Sequence, residues 1–206
     1  MGLRTSIFAF AYDRQIGKVE QAGLSDLRQR LLAQASGDVL EIGGGTGANL
    51  PFYGPGVRSL TVAEPEPPML RRLRKRVSET APETKIVRAE AEKLPFDDGS
   101  FDTIVSTLVL CGVGDQTKAL AEVHRVLRPG GRLIFIEHVR SDEPGLARLQ
   151  DRMNWLNRAM ACCDCNRATL AAIQSEGFEV AALERTELPR TPKLVRPLIA
   201  GTATVR

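Results

Sequence analysis

The chain has 206 residues, of which 43% are hydrophobic and 26% charged, and its 28 basic and 25 acidic residues give a formal net charge of +3. The length fits one domain with a sizeable core, and the composition is that of a globular protein. The charge balance does not favour nucleic-acid binding, and no apolar run approaches the roughly 18 residues of a membrane span. With no visible export signal, we expect a cytoplasmic protein whose four cysteines are reduced thiols.

The first predicted elements are a helix, a strand and a glycine-rich loop. Leucines at helical spacing from Leu24 to Leu32 predict a helix, and Gly37 ends it. Residues 38–42 read as a short buried strand. The loop that follows, residues 43–47, holds four glycines in five positions.

Strands and helices alternate through the middle of the chain. Pro67 and Pro68 suit the first turn of a helix, where a missing N–H costs nothing. A second helix carries an apolar side through Leu127 and stops at the Pro129-Gly130-Gly131 turn. The predicted strands here are residues 59–64, 84–89, 101–107 and 132–138.

The pattern changes after residue 140. Apolar residues spaced three and four apart from Leu146 to Met160 predict a long amphipathic helix. Asn166 is predicted to cap a further helix that Gly177 ends, and residues 179–183 and 199–205 read as two last strands. Alternating elements predict an α/β fold with a mostly parallel sheet, whose ligand lies beyond the carboxyl ends of the strands.

The glycine loop has two readings. Gly43, Gly45 and Ala48 satisfy the dinucleotide fingerprint, and Glu64 would be the ribose-binding acid. An NAD(P)-dependent oxidoreductase is therefore an alternative function. Glu41, two residues before the first glycine, would repel a pyrophosphate but attract an ammonium group. No separate hydride-acceptor domain fits after a dinucleotide fold of this length.

Several motifs together resemble those of class I S-adenosylmethionine-dependent methyltransferases. Residues 39–47 resemble the first motif, and Glu64-Pro65 resembles the acidic end of the second strand. Residues 89–102 are similar to the third and fourth motifs, and residues 127–131 to the turn beyond them. Within this family, the chain resembles the quinone-biosynthesis methyltransferases and the methyltransferase-like thiol methyltransferases. This chain has Glu90, and at the second strand Glu64, where the family often has aspartate.

The resemblance implies S-adenosylmethionine as cofactor and a Rossmann-like, doubly wound, mostly parallel seven-stranded sheet with helices on both faces. Glu41 would face the amino-acid end of the donor, Glu64 the ribose hydroxyls and Glu90 the adenine amino group, with Met69 and Leu94 on either side of the adenine. The predicted cofactor-binding residues are Tyr12, Glu41, Gly43, Gly44, Gly45, Gly47, Glu64, Pro65, Met69, Glu90, Ala91, Glu92 and Thr107.

We expect one domain over residues 1–206. It comprises an N-terminal helical cap segment (1–36), a cofactor-binding core (37–140), and an acceptor-side helix with the last strands (141–206). Residues 1–12 and the apolar side of the long helix are predicted to cover the acceptor.

His138, at the end of the fifth strand, is the candidate catalytic residue, whereas His124 reads as a solvated residue. Cys162, Cys163 and Cys165 are interpreted as ordinary thiols. No metal is expected, because the further candidate ligands, Cys111 and His138, do not follow a sequence spacing typical of zinc sites. The basic run 71–76 reads as a solvated helix face.

The predicted function is therefore methyl transfer from S-adenosylmethionine to a small, largely apolar acceptor through a thiol, hydroxyl or activated carbon. The alternatives are a non-catalytic binding or scaffold protein on the same fold, or the NAD(P)-dependent oxidoreductase. The identity of the acceptor, the use of a general base and the oligomeric state stay open at this point.

Overall fold

The computed structural model describes residues 17, 19–161, 163–188 and 190–205, without the side chains of residues 22, 160 and 161. The predictions on Tyr12, on the acceptor-covering segment 1–12 and on Cys162 therefore lie outside the described residues. None of the helices in these ranges is both long and apolar enough to cross a membrane.

The described chain forms a seven-stranded sheet with helices packed on it. The helices are α1 (Ser25–Leu32), α2 (Pro67–Thr80), α3 (Gln116–Val126), α4 (Pro144–Ala161) and α5 (Thr169–Ser175). The strands are β1 (Gly37–Ile42), β2 (Val57–Ala63), β3 (Lys85–Val87), β4 (Phe101–Thr107), β5 (Leu127–His138), β6 (Phe178–Glu187) and β7 (Pro197–Val205).

The strand order is β3-β2-β1-β4-β5-β7-β6. The first five strands in this order pair in parallel, and β7 lies antiparallel between β5 and β6. From β1, successive strands are added to one side of the sheet as far as β3, and β4 is then added on the other side of β1. Ligands of such sheets bind at this switch point, in the crevice at the carboxyl ends of β1 and β4. The predicted Rossmann-like, mostly parallel sheet is confirmed.

Side chains alternate between the two faces of the sheet, and helices cover both. On one face, Leu40 and Ile42 of β1 belong to a core cluster with α3, through residues such as Leu120. On the other face, Val39 belongs to a cluster with the leucines of α1, such as Leu31. This alternation is what a strand buried on both faces requires.

Two local expectations fail for identifiable reasons. Asn166 does not cap α5: the N-cap residue is Ala168, with no side-chain cap, and Asn166 Nδ2 instead donates to Asp151 Oδ1 at 3.2 Å. Leu127 does not belong to the preceding helix, because α3 ends at Val126 and Leu127 already pairs with Phe101 at the start of β5. By contrast, Pro67 and Pro68 occupy the first turn of α2 as predicted.

Candidate active site

The glycine loop after β1 leaves an open space beside its backbone. Gly43 and Gly45 have φ of 58° and 56°, values that favour glycine. A Cβ at Gly43 would lie 2.6 Å from Val109 Cγ2, so the loop packs directly on the segment after β4. At Gly45, the nearest atom to such a Cβ among the described residues is the Gly43 carbonyl oxygen, 4.0 Å away. A ligand can therefore lie against Gly45, where a larger side chain would block it.

Glu64 follows β2 and holds its carboxylate against the glycine loop. The residue is only 4% exposed. Its Oε2 accepts from the Gly45 N–H at 2.8 Å and its Oε1 from the Glu66 N–H at 2.9 Å. Burial raises the pKa of Glu64, and these two bonds oppose the rise. Each oxygen keeps a further acceptor site, which suits the two hydroxyls of a ribose.

Glu41 lies beneath the same loop, buried within β1. Its Oε2 accepts from the Tyr53 hydroxyl at 2.7 Å and its Oε1 from Asn49 Nδ2 at 3.0 Å. A Cβ at Gly44 would lie 3.5 Å from Glu41 Oε1, which places the carboxylate next to the glycine backbone. Burial raises the pKa of Glu41 to about 7, against the opposing effect of the Tyr53 hydrogen bond.

The partners of Glu41 extend into a buried polar chain that the sequence did not reveal. Asn49 also donates to Thr107 Oγ1 at 3.2 Å and accepts from Arg28. Arg28 in turn donates through Nε to Glu20 Oε1 at 3.0 Å. Arg28 is only 3% exposed. Through its hydrogen bond to Asn49, it connects α1 to Thr107 at the end of β4. No signal in the sequence separates the buried Arg28 from its exposed neighbour Arg30 in the same helix.

The predicted adenine-binding residues divide into two groups. Ala91, Leu94 and Met69 are buried, with 7%, 3% and 7% exposure, and offer apolar surface. Glu90 is exposed. Glu92 Oε1 accepts from the Gly114 N–H at 2.7 Å, which ties this loop to the start of α3.

Two further predicted residues have structural contacts of their own. The Pro65 carbonyl accepts from Arg88 Nε at 3.2 Å. A Cβ at Gly47 would lie 2.9 Å from Leu50 Cδ1 and 3.0 Å from Leu73 Cδ1, so the loop packs closely on α2 here. The cofactor roles of these residues and of those above remain predictions.

Glu137 supports the segment that follows β4, a role that sequence reasoning missed. It is fully buried, and its Oε1 accepts from the Ser106 hydroxyl at 2.7 Å and the Val109 N–H at 3.1 Å. Its Oε2 accepts from the Cys111 N–H at 3.3 Å. Burial raises the pKa of Glu137. A glutamate directly after the apolar run of residues 133–136 was the available signal.

His138, at the end of β5, lies in a cluster with two thiols, those of Cys111 after β4 and Cys163 after α4. Its Nδ1 is 3.7 Å from Cys111 Sγ, and the ligand atoms of Cys111, His138 and Cys163 lie within 4.8 Å of one another. A hydrogen bond between the two thiols lowers the pKa of Cys163 and, with burial, raises that of Cys111. Cys165 is apart from this cluster, with its Sγ 3.6 Å from Asn154 Oδ1.

Comparison with known proteins matches the chain to methyltransferases. The family described as "Methyltransferase domain" matches residues 40–135. Human thiol S-methyltransferase TMT1A is 33% identical over 95% of this chain and 82% of its own length. Human thiol S-methyltransferase TMT1B is 38% identical over 84% of this chain and 73% of its own length. The chain belongs to the class I S-adenosylmethionine-dependent methyltransferases.

A solved structure supports the fold of this methyltransferase. A SAM-dependent methyltransferase from Thermotoga maritima, described as a possible histamine N-methyltransferase, superposes with a TM-score of 0.72 at 23% identity over the whole of both chains. The predicted cofactor, S-adenosylmethionine, is confirmed by the family. Membership of this family also confirms the predicted function of methyl transfer to a small acceptor. The open face of Gly45 and the free acceptor sites of Glu64 fit this cofactor.

Proposed function

We propose that this methyltransferase transfers the methyl group of S-adenosylmethionine to the sulfur atom of a small, largely apolar thiol. The extent of its similarity to thiol S-methyltransferases carries the proposal. The alignment with human TMT1A covers 95% of the chain, well beyond the domain matched at residues 40–135. It therefore includes the segment after residue 140, where we expect the acceptor side of the site.

The donor is bound by the glycine loop and the acids around it. Glu64 accepts from the ribose hydroxyls, and Glu41 faces the ammonium group of the methionine moiety. Glu90 and the Ala91 N–H face the adenine edge, between Met69 and Leu94. We retain Tyr12, Pro65, Glu92 and Thr107 as further contacts of the donor, together with Gly43, Gly44, Gly45 and Gly47.

The chemical step is an in-line displacement in which the acceptor sulfur, the methyl carbon and the sulfonium sulfur are collinear. Holding these atoms at near-attack distance is the main task of the protein. A thiolate and a sulfonium neutralise each other in the transition state, so a site of low polarity favours the reaction. Leu149 and Trp155 of α4, 45% and 70% exposed, offer apolar surface for the acceptor.

We place this chemistry in the cytoplasm, with a small molecule rather than a nucleic acid as acceptor. Cys111, Cys163 and Cys165 form no disulfide with one another, and unpaired cysteines are typical of proteins in reducing compartments. The basic face of α2 is solvated, with Arg71, Arg74 and Lys75 exposed.

A panel of matched acceptors tests the proposed function. Purified protein is incubated with S-adenosylmethionine and either thiophenol, phenol or hydroquinone, and S-adenosylhomocysteine formation is measured. We expect turnover with thiophenol at least about a hundredfold above phenol, because a thiolate is present in useful amounts near neutral pH and a phenolate is not. Turnover of phenol or hydroquinone, with none of thiophenol, would contradict the proposal.

A further inference from the structure

The cluster of Cys111, His138 and Cys163 brings together three side chains from segments far apart in the sequence. Cys111 follows β4, His138 ends β5 and Cys163 lies beyond α4. Their ligand atoms are within 4.8 Å of one another. Spacing along the chain gave no reason to expect a metal, but the fold makes these three residues neighbours.

The separation of these atoms suits a tetrahedral metal ion. Zinc binds a cysteine sulfur at about 2.3 Å and a histidine nitrogen at about 2.0–2.1 Å, so two such ligands on one ion lie about 3.5–3.8 Å apart. Cys111 Sγ and His138 Nδ1 are already 3.7 Å apart. No two of the three ligand atoms are more than 4.8 Å apart, so the largest possible excess over the required separation is about 1 Å.

The backbone that carries these ligands is fixed by hydrogen bonds of its own. The Asp164 N–H donates to the Cys111 carbonyl at 2.8 Å, which joins the two cysteine segments. Arg167 Nη1 donates to the Leu110 carbonyl at 2.8 Å. Asn157 Nδ2 donates to the Cys163 carbonyl at 2.8 Å and lies 3.3 Å from Cys163 Sγ. The ligands are therefore held together before any ion binds.

The imidazole of His138 has no competing role among the described residues. Its Nε2 is buried and has no hydrogen-bond partner there, and its Nδ1 faces the sulfur of Cys111. The neighbouring acids are already engaged. Asp164 is paired with Arg167, and Glu137 accepts from the backbone after β4.

We propose that Cys111, Cys163 and His138 bind a zinc ion whose fourth position receives the sulfur of the acceptor thiol. Two thiolates and an imidazole are a ligand set that suits zinc, and three protein ligands with one open position are typical of catalytic zinc sites. Val109 packs on Gly43 of the cofactor loop and is two residues from Cys111, so the cluster lies near the loop that we assign to the donor. This acceptor role rests on the proposed thiol methyltransferase function.

The zinc ion would supply the reactive form of the acceptor. A thiol that binds zinc loses its proton, which passes to solvent, and stays on the metal as a thiolate. Its sulfur then bonds to the methyl carbon while the bond from that carbon to the sulfonium sulfur breaks. The products are a methyl thioether and S-adenosylhomocysteine, and the thioether, a neutral and weaker ligand, leaves.

Cobalt substitution tests the metal site directly. Protein freed of metal by a chelator is titrated with Co²⁺, and thiolate-to-cobalt charge-transfer absorption is recorded. We expect saturation at one equivalent in the wild type and in Cys165→Ser, the matched control whose sulfur is outside the cluster. In Cys163→Ser and His138→Gln, with circular dichroism unchanged, saturation should require at least about tenfold more Co²⁺. No saturable absorption in the wild type, or an unchanged titration in both variants, would overturn the site.

Thiophenol then separates the metal role from the proposed function. Adding thiophenol to the cobalt protein should increase the charge-transfer absorption, and removing metal should lower the methylation of thiophenol at least about tenfold while donor affinity stays unchanged. Full methylation by metal-free protein would overturn the zinc role and leave the proposed function intact. Saturable cobalt binding without any methylation of thiols would support the metal site and overturn the proposed function instead.

Discussion

At the scale of single residues, Glu64 is the most direct link between the fold and the donor. It is buried, accepts from the Gly45 N–H at 2.8 Å and keeps an acceptor site on each oxygen. If these sites bind the ribose, Glu64→Ala removes charged hydrogen bonds and weakens donor binding by about 1.5–3 kcal/mol, at least about tenfold in dissociation constant. Calorimetric titration with S-adenosylmethionine measures this change.

The exposed neighbour Glu66 provides the control for this prediction. Glu66→Ala leaves the backbone N–H that Glu64 accepts from, so donor affinity should stay as in the wild type. Equal affinities for both variants and the wild type would remove Glu64 from the binding site.

Glu41 gives the protein a predictable pH dependence of stability. Burial raises its pKa from the ordinary 4.5 to about 7, so between these values the folded state holds a proton that the unfolded state has lost. Folding is therefore penalised increasingly as the pH rises through this window, and the penalty is complete above about pH 7. Glu41→Gln removes this ionisation. The unfolding free energy of the variant relative to that of the wild type should therefore increase by about 2–3 kcal/mol as the pH rises from about 5 to about 8.

Urea unfolding at several pH values measures this difference. The difference in unfolding free energy between variant and wild type should rise with pH and level off above about pH 7. A difference independent of pH would mean that Glu41 ionises normally in the folded protein.

The glycine loop allows a matched comparison between two substitutions. Gly45 and Gly99 have nearly the same φ, 56° and 61°, so valine strains the backbone equally at both positions. Only Gly45→Val places its side chain in the space that we assign to the donor. We expect similar losses of thermal stability for both variants and loss of donor binding for Gly45→Val alone, measured by calorimetry. Normal binding by Gly45→Val would place the donor elsewhere.

At the scale of elements, the sequence predicts those whose pattern is local. Helix α2 begins at its prolines, and β4 spans Phe101–Thr107 as the apolar run indicated. The Asn166 cap was wrong because a capping residue type is also a good partner for a nearby acid, here Asp151. The placement of β7 between β5 and β6 depends on long-range pairing, which no local pattern encodes.

The same division holds for the candidate site. The positions of Glu41 and Glu64 beside the glycine loop were predictable, because both residues lie at the carboxyl ends of parallel strands. The pairing of Glu41 with Asn49 and Tyr53, and that of Cys111 with His138 and Cys163, was not. These contacts join side chains whose separation in sequence says nothing about their distance in space.

At the scale of the whole molecule, we propose that residues 1–12 act with residues 141–206 on the acceptor, while residues 37–140 hold the donor. Deleting residues 1–12 should then abolish methyl transfer to thiophenol and leave much of the donor affinity, because the acids and glycines of the donor site remain. Activity and calorimetric titration on the same truncated protein separate the two effects. Full turnover after the deletion would contradict this division.

The central claim is that an intact methyl group moves from S-adenosylmethionine to the sulfur of a small thiol. The most direct measurement incubates the protein with thiophenol and a donor carrying a trideuterated methyl group, and quantifies both products by mass spectrometry. The account predicts trideuterated thioanisole and S-adenosylhomocysteine in equal amounts, and no product in the Gly45→Val variant. S-adenosylhomocysteine without labelled thioanisole, or no turnover of any thiol, would contradict it.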